Sequence, residues 1–80
     1  MTYKQKYLKH RGYAEQDYIL CESCFKKRAN DVHHIHFKSK GGTDRMDNLI
    51  AVCRDCHIKA HEGILIEAHF KELKRKQFNY

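Results

Sequence analysis

The stretch VHHIHFKSKGGTDRMDNLIAVCRDCHIKAH, residues 32–61, holds five of the chain's seven histidines and two of its four cysteines. Its second half decides the fold. NLIAV, residues 48–52, is a short apolar run that fits a strand. From Arg54 the spacing turns helical until Gly63, a residue suited to ending a helix. Residues 31–37 alternate in part and fit another short strand, and SKGGTD after it is a glycine-bearing loop. Strand, loop, strand and helix follow one another, so the expected fold class is small α+β.

Outward from this core the signals weaken. YIL, residues 18–20, fits a short strand ahead of Cys21, and residues 3–11 have weak helical character, with Tyr3 and Tyr7 one turn apart and suited to anchoring the segment to the core. After Gly63, ILIEAHFKELKRKQF, residues 64–78, places Ile66, Phe70, Leu73 and Gln77 on one face of an amphipathic helix with a basic outer side. There is no proline, linker, repeat or low-complexity tract. The expected organisation is therefore a single domain over 1–80, with a basic segment at 1–18, a core over about 19–63 and a helix over about 64–78.

Eighty residues bury only about 60% of the surface of the unfolded chain, so a domain of this size needs a staple, either disulfides or a metal. The N-terminus, MTYKQKYLKHRGY, lacks the apolar run of a secretory signal, and no segment is long and apolar enough to cross a bilayer. The expectation is a cytoplasmic protein without a membrane partner, in a compartment where thiols stay reduced and paired CxxC elements act as metal ligands. Cys21-Glu-Ser-Cys24 and Cys53-Arg-Asp-Cys56 are two such elements, able to present four thiolates to one tetrahedral Zn2+. That shell leaves no open coordination position, which makes the zinc structural. The gap between the two elements is longer than in an ordinary zinc ribbon, and it contains most of the histidines.

Formal charge is +6; zinc bound to four thiolates adds a dication and removes four protons, which brings the loaded protein to about +4. The basic residues gather in KQKYLKHR, residues 4–11, in KELKRK, residues 71–76, and at Lys26, Lys27 and Arg28. A polyanionic partner is favoured, although from charge alone nucleic acid and a solvated basic face stand level.

On the expected helix, His57 and His61 lie four residues apart and project from one face, where two imidazoles can approach one ion. His33 and His34 are adjacent on a strand and point to opposite sides. One of that pair can share the helix's metal. The other is then free to act as a base near neutral pH, the division of labour that metal-assisted hydrolysis requires.

At these residues the chain resembles the HNH endonucleases of the ββα-metal, or His-Me finger, superfamily. VHHI, then KGG, then DNL, then CxxCH reproduces the family's order and spacing, and HIKAH is similar to the end of the nuclease domains of DNA-degrading colicins. The resemblance covers about residues 19–63 and includes the four-cysteine zinc variant. It implies a ββα-metal finger clamped by the four-cysteine structural zinc site, with flanking helices. It further implies His33 as metal ligand where many relatives have aspartate, His34 as general base, and Asn48 as the residue that ties the loop to the strands and orients His34. His57 is then the second ligand and His61 a third.

The implied reaction is hydrolysis of DNA to 5′-phosphate and 3′-hydroxyl ends, with one divalent ion (Mg2+, Mn2+, Ni2+, Co2+ or Zn2+). Histidine in place of aspartate at position 33 shifts the expectation toward the softer ions. Lys38, Lys40 and Arg54 flank the site as candidate phosphate contacts, with an ordinary exposed-charge role nearly as well founded. The resemblance implies double-stranded DNA read by shape and a phage or mobile-element setting; a nuclease of eighty residues is further expected to draw specificity from a protein partner or a dimer. Two other readings stand beside it: a catalytically silent, zinc-stabilised nucleic-acid-binding module, and a protein whose four cysteines and several of whose histidines are zinc sites serving only stability or partner binding.

Overall fold

Leu49–Val52 is a strand buried on both of its faces, and the rest of the chain is arranged to cover it. In the computed structural model, which describes residues 2–14 and 17–78, five elements follow in order: α1 (Tyr3–His10), β1 (Asp31–His34), β2 (Leu49–Val52), α2 (Arg54–His61) and α3 (Glu67–Phe78), with 3-10 turns at Lys38–Lys40 and Met46–Asn48. Of the basic segment expected over 1–18, Met1, Glu15 and Gln16 lie outside the described residues. The chain is a small α+β structure.

β1 and β2 pair antiparallel, with His33 opposite Ile50 and His34 opposite Leu49. Side chains alternate across a strand, so the two faces bury different sets. Leu49 and Ala51 join Tyr7, Ile19 and Val32 on the α1 side; Ile50 and Val52 join Ile35, Ala60, Phe70 and three of the cysteines on the α2 and α3 side. A four-residue, two-stranded sheet is marginal by itself, and helices on both faces supply the burial it lacks.

Local chemistry sets the ends of the helices. Thr2 and Gln5 form a reciprocal capping box at the start of α1, and the Cys53 sulfur caps α2 by accepting the backbone N–H of Cys56. Gly63 ends α2 in the left-handed region, as its position in the sequence anticipates. Three expectations are corrected. Residues 18–20 form no strand, only an isolated Leu20–Arg28 bridge, because the chain turns into the first cysteine knuckle at once. β1 stops at His34 because the following residues bend into the glycine loop. α3 begins at Glu67 rather than near 64, which leaves Ile66 exposed outside the helix while Phe70 and Leu73 face the core.

A buried polar cluster joins the flanking helices to the core. The Glu22 carboxylate, inside the first knuckle, accepts from the Tyr7 hydroxyl at 2.5 Å, from Arg11 Nε at 3.0 Å, from the Ala51 backbone N–H at 2.9 Å and from Gln77 Nε2 at 3.3 Å. Lys74 Nζ donates to the Tyr7 oxygen at 2.9 Å. One carboxylate thereby fixes α1, β2 and α3 together.

The glycine loop closes by a backbone approach: Gly42 N–H donates to the Phe37 carbonyl, and a Cβ at residue 42 would lie 1.9 Å from the His36 carbonyl oxygen. Glu22→Ala removes the one charged acceptor that the cluster's donors share and is expected to cost about 3 kcal/mol, against about 1 kcal/mol for Tyr7→Phe. Urea unfolding of both variants at one fixed zinc concentration checks the order; equal costs would remove the carboxylate from its central place.

Candidate active site and metal centres

The first knuckle, Cys21 to Cys24, and the second, at the β2–α2 corner, bring the four sulfurs within 4.8 Å of one another. Cys24 Sγ lies 3.9 Å from Cys53 Sγ, close to the ~3.8 Å that Zn–S bonds of about 2.3 Å impose in a tetrahedron. The donor set and its spacing therefore fit zinc. Backbone N–H groups of Ser23 and Cys24 point at Cys21 Sγ, each at 3.4 Å, and that of Cys56 points at Cys53 Sγ at the same distance. Hydrogen bonding from the Lys26 backbone leads in pulling the Cys24 thiol down to about 6, against the opposing effect of burial. Burial pushes the Cys56 thiol up to about 12 and raises Cys53 as well. Thiols held protonated must lose those protons to bind a cation, so acid opposes binding at this cluster.

The second cluster is His33, His57 and His61, whose ligand nitrogens also lie within 4.8 Å of one another. His33 comes from β1 on the face toward α2, and the other two from successive turns of α2. His57 Nε2 and His61 Nε2 are 3.2 Å apart. Burial, then the neighbouring His57 and His61, push His33 down to about 4. The imidazole is therefore neutral at pH 7 and has a lone pair to offer. Nδ1 of His57 meets the Asp31 carboxylate at 3.1 Å, which turns Nε2 toward the cluster, a carboxylate–histidine arrangement typical of metal ligands. Sequence reasoning misses Asp31. Its i, i+2 relation to His33 on the same strand face is the signal that could have revealed it.

His34 occupies the other face of β1, opposite Leu49, and stays out of the metal-capable cluster. Even so, both histidines line one cleft of about 320 Å³, with Tyr3, Phe37, Lys38, His57 and His61 also on its walls. Because β1 has no strand partner on its outer side among the described residues, the cleft can wrap that edge and reach both faces. His34 Nε2 lies 2.7 Å from Asp44 Oδ1, and its ring packs against Tyr3 with centroids 4.5 Å apart.

Asn48 touches neither cluster. Its Oδ1 accepts from the His36 backbone N–H at 2.8 Å, while Nδ2 donates to the carbonyls of Thr43 at 2.7 Å and His36 at 3.2 Å. It fastens the glycine loop to the chain just beyond β1.

The three candidate phosphate contacts are exposed and already engaged. Lys38 pairs with Asp44 at 3.0 Å, Arg54 with Asp31 at 3.6 Å, and Lys40 sits over the Phe37 ring. His36 bridges Glu67 and the Lys40 carbonyl, His69 meets Ser23 Oγ at 3.1 Å, and His10 is exposed on α1. Neither His10, His36 nor His69 joins a metal-capable group among the described residues.

The family model for HNH endonuclease matches residues 20–63. Over 76 residues the chain is 38% identical to the type IV methyl-directed restriction enzyme EcoKMcrA of Escherichia coli (strain K12), an alignment covering 79% of this chain and 27% of that enzyme. It is also 34% identical over 76 residues to anaredoxin of Nostoc sp. (strain PCC 7120), covering 86% of this chain and 97% of the relative. The chain thus spans about a quarter of the restriction enzyme and nearly all of the cyanobacterial protein. Both relatives are bacterial, and a phage setting draws nothing from them. No solved structure matches.

Asp31→Ala is expected to weaken cation binding at the three histidines by about tenfold. Titration with Co2+ of protein whose cysteine site already holds zinc measures this, and unchanged affinity would leave Asp31 without a role there.

Proposed function

The chain belongs to the HNH endonuclease family, and from that premise we propose that it is a metal-dependent DNA endonuclease working in the cytoplasm. The observation that carries the reading is the separation of roles within one cleft. Three imidazoles converge at spacing suited to one ion, and a fourth, His34, stands beside them outside the cluster. A binding module would have no use for the fourth.

In this reading the four cysteines hold a structural zinc and His33, His57 and His61 hold the working ion. A divalent cation there supplies Lewis-acid neutralisation of the charge that builds on the phosphoryl and leaving oxygens. His34 takes a proton from water as the water oxygen bonds to phosphorus. The bond from phosphorus to the 3′ oxygen breaks, that oxygen takes a proton from solvent, and the ends are a 5′-phosphate and a 3′-hydroxyl. Asn48 holds the loop beside the base.

Lys38 lines the cleft, Lys40 sits over Phe37 of its wall and Arg54 pairs with the Asp31 that meets His57; the three would exchange these partners for backbone phosphates, contacts that orient a duplex without reading its sequence. Double-stranded DNA recognised by shape is the proposed substrate. The likeness to a restriction enzyme supports DNA, while methyl direction is said of that protein, most of which lies beyond the aligned part. A dimer or a partner protein would supply sequence selection. His33 favours Ni2+, Co2+ or Zn2+ over Mg2+, since imidazole suits the softer ions.

Supercoiled-plasmid cleavage by metal-stripped, zinc-reconstituted protein across these ions tests the reading. Cleavage should need added metal and fall by at least about 100-fold in His34→Ala. Folded protein that binds DNA and cuts it with no ion would make it a binding module, and activity with Mg2+ alone would contradict the ligand argument.

A further inference from the structure

His34 is gripped by two residues that belong to neither metal-capable cluster. Asp44 sits in the loop after Gly42, and Tyr3 sits on α1, outside the segment matched by the family model. We propose that Asp44 and Tyr3 are positioning residues that hold the His34 ring in one orientation, with Nε2 donating to Asp44 and Nδ1 left as the nitrogen that accepts the proton. This rests on the reading of His34 as the general base.

The Asp44 carboxylate is itself held at both oxygens. Oδ1 faces His34 Nε2 at 2.7 Å and Oδ2 faces Lys38 Nζ at 3.0 Å. Those two hydrogen bonds, His34 first, keep its pKa below the ordinary carboxylate value. An ionised carboxylate can only accept, so the ring nitrogen against it must carry the hydrogen. The backbone around Asp44 is fixed as well. Asn48 Nδ2 donates to the carbonyl of Thr43, the residue before it, and Gly42 packs its backbone on His36 too closely for any side chain. The loop therefore delivers the carboxylate to a set place beside β1, and a base oriented by a third group is a recurring arrangement for activating a nucleophile.

Tyr3 closes the other side. Its ring meets His34 at 4.5 Å with the planes inclined by 57°. One turn along the same face of α1, Tyr7 is fully buried and bonded to Glu22 at 2.5 Å. The anchor at Tyr7 fixes the height at which Tyr3 stands over the cleft. Asp44 thus sets which nitrogen carries the hydrogen, and Tyr3 limits how far the ring can swing.

Two readouts test this on the full chain with zinc in its cysteine site. In 15N-resolved spectra of histidine, the wild type should show a slowly exchanging, downfield proton on His34 Nε2, lost in Asp44→Ala. In plasmid cleavage, Asp44→Ala and Tyr3→Ala should each lower kcat by about tenfold. KM should stay unchanged or fall in Asp44→Ala, since Lys38 is released toward the DNA. Tyr3→Phe should match wild type, and zinc content and melting temperature should hold throughout.

A proton on Nδ1 instead, a kcat within about twofold of wild type in both alanine variants, or a change confined to KM would overturn the proposal. If the wild type shows the Nε2 proton but cuts DNA with no ion, the nuclease reading fails while the His34–Asp44 geometry stands.

Discussion

Four sulfur atoms from two separate turns of the chain meet within 4.8 Å, and most of the molecule's geometry depends on that meeting. Cys53 belongs to the corner between β2 and α2 and also caps α2, so the helix must start immediately after the strand. That places His57 in the first turn and His61 in the second, above the face of β1 that carries Asp31 and His33. The first knuckle is tied to the same point and carries Glu22 between its cysteines, which fastens α1 and α3. In the proposed reading a zinc ion at the sulfurs takes the place of the large core that a chain of this size cannot build.

The consequence for chemistry is a site whose parts come from rigid neighbours on both faces of one short strand. Adjacent residues of β1 face different neighbours because alternation sends them opposite ways: His33 inward to the helix histidines, His34 toward α1 and the glycine loop. Within the inner group, burial keeps His33 neutral and Asp31 orients His57. The outer histidine has its own carboxylate, Asp44. In the proposed reading, two histidine–carboxylate pairs on different sides of the strand would keep metal binding and proton acceptance apart.

The features legible in the sequence were those whose geometry is local. CxxC spacing, the i, i+4 pair in α2, the terminating Gly63 and the two core strands depend on contacts within a few residues, and the convergence of both clusters followed from them. Glu22, Asp31 and Asp44 were not legible as site or anchor residues, and Tyr3 was legible only as an anchor to the core, because partners such as His34, His57, Ala51 and Gln77 lie 10 to 55 positions away and are met only after the strands pair. The short strand expected at 18–20 was lost to the knuckle's turn, and Ile66 to a helix that starts one residue later. Lys38 and Arg54 read as free charges because charge counts omit the aspartates that fold against them.

The central claim, one closed thiolate site and one open histidine site, is tested most directly by counting metal. Protein dialysed against EDTA should retain one zinc per chain by mass spectrometry. It should then take up one further, exchangeable Co2+, and His57→Ala should abolish only that second uptake. Two zinc ions per chain that resist EDTA, or a second uptake indifferent to His57, would contradict it.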